Sequence, residues 1–165
     1  MNTEKKSSVD ILFDFAIKTL KDQISRIDGT DTKIGVIFGL TNALAAALGG
    51  FVFVCRDTIS WPVFISIALS VVLYVCTLVF LYRSYQWGKW NNRPDIRRLK
   101  EICTSDEYRP YPEVVKEWII DECIESVEWN SKPLSDKVDN ANWALRASTI
   151  QGGFLVVSYL LYVLM

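Results

Sequence analysis

Histidine is absent from the 165-residue chain. With it go imidazole acid–base catalysis, Ser–His and Cys–His nucleophilic pairs, and histidine-ligated metals. Cysteine is scarce. Cys55, Cys76, Cys103 and Cys123 form no CxxC, and their spacing matches neither a zinc site nor a redox motif. Cys76 falls inside an apolar run, where a thiol is expected as a small buried hydrophobe. Net charge is also small, at −1, so the total says nothing about nucleic acid. A signal peptide is missing from the reading too, because the first apolar block begins only at residue 34 and lacks a small-residue cleavage context. Neither an internal repeat nor a low-complexity tract is present. These absences leave no catalytic, cofactor-binding or metal-ligating constellation, and an enzyme is the least expected class.

What is abundant is apolar residues, at 50% of the chain, and they come in blocks. Charge is missing from three long windows and dense between them, the pattern of membrane spans with polar connections. Residues 34–54 form the first window, 21 residues without a charge, against the roughly 20 needed to cross the hydrocarbon. Gly35, Gly39, Ala43, Ala46, Ala47 and Gly50 make one side of it small, and Gly35 and Gly39 form a GxxxG. Small residues at this spacing let helices approach closely in lipid. They imply either packing against the second span or a contact between copies. Asn42 is the only amide in mid-span, expected to bond another helix or to face a polar path. The short connection after Val54 makes the second span, residues 62–82, run antiparallel beside the first. Trp61 suits the membrane–water interface and Pro62 a first helical turn. Rich in Val, Ile and Leu, this span reads as the more lipid-facing of the two. Residues 147–165 form the third window, with Gln151, Gly152 and Gly153 giving it a small, polar entrance.

The polar segments read as helices as well. Residues 8–32 carry an amphipathic stripe of Val9, Leu12, Phe13, Ala16, Ile17, Leu20, Ile24 and Ile27, with Ser7 or Ser8 as cap and Asp10 in the first turn. The stretch 83–100 holds six bases, Arg83, Lys89, Arg93, Arg97, Arg98 and Lys100, interleaved with Tyr85, Trp87 and Trp90. Beside a span this is an interfacial anchor and topology signal rather than a nucleic-acid surface. The next 28 residues, 101–128, reverse the sign with nine acids and two bases. Within them residues 113–130 read as an acidic helix turning Val114, Trp118, Ile119, Cys123 and Val127 to a core. Its Glu117, Asp121 and Glu125 form a candidate partner face. Pro133 is expected to stop that helix. A long C-terminal helix follows, capped at Ser135, with an inner stripe of Val138, Ala141, Leu145 and Ser148.

The bases fix an orientation. Lys18, Lys21, Arg26 and Lys33 precede the first span, only Arg56 follows it, and six bases follow the second. The expected fold is an all-α membrane protein with three transmembrane helices and a cytoplasmic helical bundle formed by their extensions. Its parts are a cytoplasmic helix (residues 1–33), a transmembrane hairpin (34–82), a cytoplasmic helical region (83–146) and the third span (147–165). Localisation follows as a multi-pass protein with its N-terminus in the cytoplasm.

The run from Leu20 to Lys33, LKDQISRIDGTDTK, leads directly into a span. It resembles the entry of small bacterial two- and three-span effectors: the SLATT proteins and the transmembrane effectors of cyclic-nucleotide antiphage systems such as Pycsar and CBASS. There, too, a polar helix with an Asp-x-Lys pair, here Asp31 and Lys33, feeds the first membrane helix. A later Lys-containing helix, here from Asp136 and Lys137 onward, leads into an apolar C-terminal segment. The likeness covers most of the chain in layout, but in wording only residues 20–33. No nucleotide-binding domain is attached, and the basic and acidic blocks are this sequence's own. The resemblance implies a membrane-perturbing or pore-forming effector in the bacterial inner membrane. It acts in antiphage defence and is triggered through its cytoplasmic helices. Expected partners are the lipid bilayer, further copies of the chain, and a cytoplasmic sensor protein or signal nucleotide; no cofactor and no nucleic acid are expected. The candidate oligomer or pore face is Gly35, Gly39, Asn42, Ala43, Ala46 and Gly50. Asp28, Asp31 and Lys33 make a candidate collar at the membrane entrance, a gate or simply a salt-bridged ring. The alternative class is a constitutive membrane adaptor that anchors a soluble partner through its acidic helix.

Overall fold

A computed structural model describes residues 7–56, 59–86 and 112–164. They form three helices: α1 (Ser8–Cys55), α2 (Trp61–Tyr85) and α3 (Pro112–Leu164). All three are long and apolar enough to cross a membrane. The basic stretch beyond Arg83 and Tyr85, the acids at 101, 106 and 107, and Cys103 lie outside the described residues. The amphipathic helix and the first span are one uninterrupted helix, α1. Pro133 does not stop a helix; it lies inside α3. Proline removes one backbone donor and crowds the preceding turn, yet the helix continues, with Asn130 and Leu134 buried on either side of it.

The chain divides into two compact units. A polar unit comprises Met1–Asp28 and Gly88–Ser135, and an apolar unit comprises Gly29–Trp87 and Asp136–Met165.

In the polar unit the N-terminus of α1 is closed by a reciprocal cap. The Asp10 N–H donates to Ser7 Oγ and the Ser7 N–H to an Asp10 carboxylate oxygen, both at 3.2 Å. This satisfies two donors that a helix start leaves without partners. Ala16, Ile120 and Cys123 form the core, with Val9, Phe13, Leu20 and Ile119 packed on it. The acidic helix keeps most of the face its sequence suggests, with Cys123 in the core, Ile119 packed on it and Trp118 and Val127 half-buried; Ile120 joins them at the centre, and Val114 is exposed. On α1, Leu12, Ile17 and Ile24 point outward, and Gln23 takes an inner position, donating to the Val127 carbonyl at 3.0 Å. Lys116 pairs with Asp10. The hydrogen bond from Lys116, followed by that from the Ser7 backbone, holds the Asp10 carboxyl below its ordinary 3.8. The same bond lifts the Lys116 ammonium above 10.5.

The apolar unit is inside-out relative to a water-soluble core. Thr41, Ser66, Ser70, Thr77, Ser84, Ser148, Gln151 and Ser158 are buried, whereas Val36, Phe38, Leu40, Phe53, Val72, Val156 and Leu160 are exposed. In water the large aliphatic and aromatic residues would be inside. Among lipid tails nothing drives them there, and helices are joined instead by small residues and interhelical hydrogen bonds. The buried positions fall mostly in steps of three, four and seven: 30, 34, 37, 41, 48 and 55 on α1; 63, 66, 70, 77, 81 and 84 on α2; 141, 144, 147, 148, 151 and 158 on α3. That is the seam of helices packed at about 3.5 residues per turn. The expected inner stripe of α3 is thus corrected: Ala141 and Ser148 are on it, but Leu145 is exposed and Ala144 takes the inner place. Likewise α2 is not the more lipid-facing helix. In its most apolar 18-residue window 28% is buried, against 17% for α1, because its small-residue periodicity is carried by serine and threonine rather than glycine and alanine. Cys76, expected inside, is exposed on α2.

Aromatic residues gather at both ends of this unit. Trp61 stacks on Phe64 and Phe51 meets Tyr162 edge-on near one end. Phe80 stacks on Trp143 near the other, where the Arg146 guanidinium lies 4.9 Å from the Trp143 ring centre. Aromatic belts flanked by cations are what a membrane–water boundary selects.

Candidate functional site

The polar seam of the apolar unit is built rung by rung. At one end the Lys137 ammonium lies 2.6 Å from the Asp31 carboxylate, with the lysine side chain only 10% exposed. The partner of Asp31 in the expected collar is therefore Lys137, far away in sequence, and Lys33 is exposed. Ser84 Oγ on α2 donates to the Lys137 carbonyl at 2.8 Å, so the three helices meet at this level. Ile34, Ile37, Leu81, Ala141 and Ala144 close the seam directly beyond it.

Further along, Thr41 Oγ1 donates to the Ile37 carbonyl and approaches Ser148 Oγ at 3.1 Å. The Tyr74 hydroxyl donates to Asn42 Oδ1 at 3.1 Å, and Asn42 Nδ2 donates back to the Phe38 carbonyl. Asn42 thus bonds a neighbouring helix, one of the two roles its sequence position allows. Ser70 Oγ reaches the Gln151 carbonyl at 3.4 Å and Ser66 Oγ the Phe154 carbonyl at 3.0 Å. Thr77, Thr149 and Ser158 return their hydroxyls to the carbonyl four residues earlier, which hides a polar group without a second helix. An interhelical bond of this kind contributes about 0.6 kcal/mol in a membrane protein. The seam is held by its number of rungs rather than by any single one.

One group breaks the pattern. The Gln151 side chain is fully buried, yet neither its Oε1 nor its Nε2 has a hydrogen-bond partner. A buried carboxamide left in that state costs about 1–3 kcal/mol for each unpaired group, and more in hydrocarbon. The sequence places Gln151 at a polar entrance to the third span. In the structure it is level with Ser70, deep within α2. It also borders a groove of about 390 Å³ between α1 and α2, lined by Ala45, Leu48, Gly49, Val52, Ile67, Val71 and Tyr74. A second groove of about 710 Å³ lies at the Asp31 end, lined by Asp31, Ile34, Gly35, Phe38, Leu78, Leu81, Tyr82 and Tyr85.

Of the candidate oligomer face on α1, Asn42 is turned to α2 through Tyr74 and so is not free for a second copy, while its small residues have no such contact. A methyl group added at Gly35, Gly39 or Gly50 would find nothing within 4 Å, and Ala43 and Ala46 are exposed. Among the described glycines only Gly152 has a neighbour at such a position, the Leu44 side chain in ordinary contact at 3.7 Å. Glu117, Asp121 and Glu125 are all exposed, as a partner face requires. Asp28 is exposed as well. Among the described residues no group of three or more acidic or cysteine side chains is placed to hold a metal ion. Burial, and after it Glu122, pushes the Cys123 thiol up, which makes it a poor nucleophile. Comparison with protein-family models, with curated proteins and with solved structures finds no match to this chain.

Proposed function

We propose that the chain is a membrane-perturbing effector of the bacterial inner membrane, acting in antiphage defence as a homo-oligomer. Its N-terminus and its polar helices face the cytoplasm, where a sensor protein or signal nucleotide triggers it. The observation that carries this reading is the outward, unoccupied small face of α1: Gly35, Gly39, Ala43, Ala46 and Gly50. Small surfaces are useful in lipid only where another backbone approaches them, and among the described residues nothing lies within 4 Å of a methyl group added at Gly35, Gly39 or Gly50. A second copy supplies the missing surface, and rearrangement of such an assembly opens the bilayer. The Asp31–Lys137 pair, at the polar end of the seam, is the lock that activation releases.

Induced expression with a potential-sensitive dye tests the proposal. Overproduction or triggering should collapse the membrane potential, and Gly39→Leu or Ala46→Leu should abolish both the collapse and cross-linking between copies. A strictly monomeric protein in bilayers, or an unchanged potential, refutes it. The exposed acids Glu117, Asp121 and Glu125 favour a second reading, a constitutive adaptor. In that case replacing them with amides removes a bound soluble partner and the potential never changes.

A further inference from the structure

We infer that the α1–α2 groove beside Gln151 is a hydration site within the membrane, holding water on the Gln151 carboxamide and the Tyr74 hydroxyl. The inference rests on the bilayer reading above and adds a ligand and a place to it.

Demand comes first. Every other buried polar side chain of the seam described above has a bond, to a backbone carbonyl or to a second side chain, and among the described residues Gln151 alone has both polar atoms unpartnered. Its two atoms ask for different things, since Oε1 accepts and Nε2 donates. Lipid tails offer neither, and a helix carbonyl, which accepts from Ser66, Ser70 and Ser84 elsewhere in the seam, could serve Nε2 but not Oε1. Water offers both. Tyr74 donates to Asn42 and keeps oxygen lone pairs with which to accept, so a water here has three partners, within the usual two to four.

Space is also provided. A water takes about 30 Å³ of liquid, so a groove of about 390 Å³ is large enough for the one or two that Gln151 and Tyr74 can hold. Along α1 its wall runs from Ala45 to Val52, about 10 Å at the helical rise, and Val52 is within one turn of the last helical residue, Cys55. The groove therefore leads from the level of Gln151 to the α1–α2 loop, the end from which water enters. Ala45 and Gly49 keep that wall low, so their small size has a use other than helix contact.

Cysteine reactivity in proteoliposomes tests this, because a thiol is modified by a water-soluble methanethiosulfonate only where water reaches it. In a background lacking the four native cysteines, Ala45→Cys samples the groove and Val72→Cys the outward face of α2. The expected result is modification at position 45 at least tenfold faster than at 72, with Gln151→Leu cutting the rate at 45 by about tenfold. Two slow thiols mean an inserted but dry groove and overturn the inference while leaving the bilayer reading intact. Two fast thiols overturn the bilayer reading itself. If Gln151→Leu does not fold, water-edited magnetisation transfer in the unsubstituted chain decides. Rapid transfer to the Gln151 side-chain amide supports the site, and transfer as slow as to Val72 overturns it, as does transfer that depends on cross-linking to a second copy.

Discussion

The two units of this chain differ most in what they turn outward, and at their centres in the mixture they bury: a small apolar cluster beside Gln23, Ser126 and Asn130 in one, and a row of hydroxyls and Gln151 beside Ile34, Ile37 and Leu81 in the other. The polar unit packs Ala16, Ile120 and Cys123 inside and turns Glu117, Asp121 and Glu125 out. The apolar unit buries Thr41, Ser66, Ser70, Thr77, Ser148 and Gln151 and turns out Phe38, Val72 and Leu160. Both are made from stretches of the same helices, α1 and α3. The backbone does not decide what lies inside; the surroundings do. Removing apolar surface from water contributes about 25 cal/mol per Å², and that term vanishes where the alternative to burial is a lipid tail. What remains in the apolar unit is close packing and the satisfaction of polar groups.

The largest expected effect is on the side where burial is the driving force. Ile120→Ala should destabilise the polar unit by about 2–5 kcal/mol, seen as faster proteolysis within residues 112–135 while membrane extraction behaviour is unchanged. Trp118→Ala should cost less, because Trp118 is only half-buried. The opposite order would put Trp118 rather than Ile120 at the centre of the core.

Next comes the pair at the edge of the apolar unit. Asp31→Asn leaves a nearly buried ammonium without its carboxylate, whereas Lys137→Met leaves a carboxylate that is 40% exposed and still hydrated. Removing the partner of a fully buried charge costs about 3–5 kcal/mol. Exposure of Asp31 lowers that to about 1–3 kcal/mol. Thermal denaturation in detergent should rank Asp31→Asn as the more damaging, and equal losses would mean that the pair is solvated on both sides. Smaller again are the single rungs. Ser66→Ala or Ser84→Ala should cost about 0.6 kcal/mol and no more than about 1.7, a difference that needs the double variant to measure with confidence.

The smallest effect is the pH response of the Asp10–Lys116 contact in the polar unit. The depressed Asp10 contributes stability that is complete above 3.8 and lost as pH falls through its folded value. The raised Lys116 contributes stability that is complete below 10.5 and lost as pH rises through its folded value. Between those limits this contact should add no pH dependence, and Asp10→Asn should flatten both flanks of a stability profile measured by helix circular dichroism.

The three spans and the short hairpin are legible because lack of charge over some twenty residues is a local property. Which face of each span points inward is not, because hydropathy scores serine and threonine as indifferent although they carry the seam. Gln151 could be recognised as polar from its letter. Its burial depends on the level at which α2 crosses α3, a relation between residues 81 positions apart. The same holds for Lys137, whose partner is Asp31 rather than a neighbour on its own helix. Pro133 misleads for a related reason: its local penalty is real, but the helix runs on through it, with Asn130 and Leu134 buried on either side.

The bonds from α2 to α3 have a consequence for how this sequence can change over generations. Ser66, Ser70 and Ser84 all donate to main-chain carbonyls, those of Phe154, Gln151 and Lys137. A main-chain acceptor survives any substitution at its own residue. The specification of that contact is therefore written on one helix only: α2 holds the instruction, and α3 offers a surface common to every helix. A serine lost from α2 has no compensating change on α3, so these three positions should vary little and independently of 137, 151 and 154. Between α1 and α3 the reverse applies, because Thr41 with Ser148 and Asp31 with Lys137 join side chain to side chain. Those pairs should change together. A set of natural relatives that showed paired replacement across α2 and α3, and none across α1 and α3, would contradict the bonding described here.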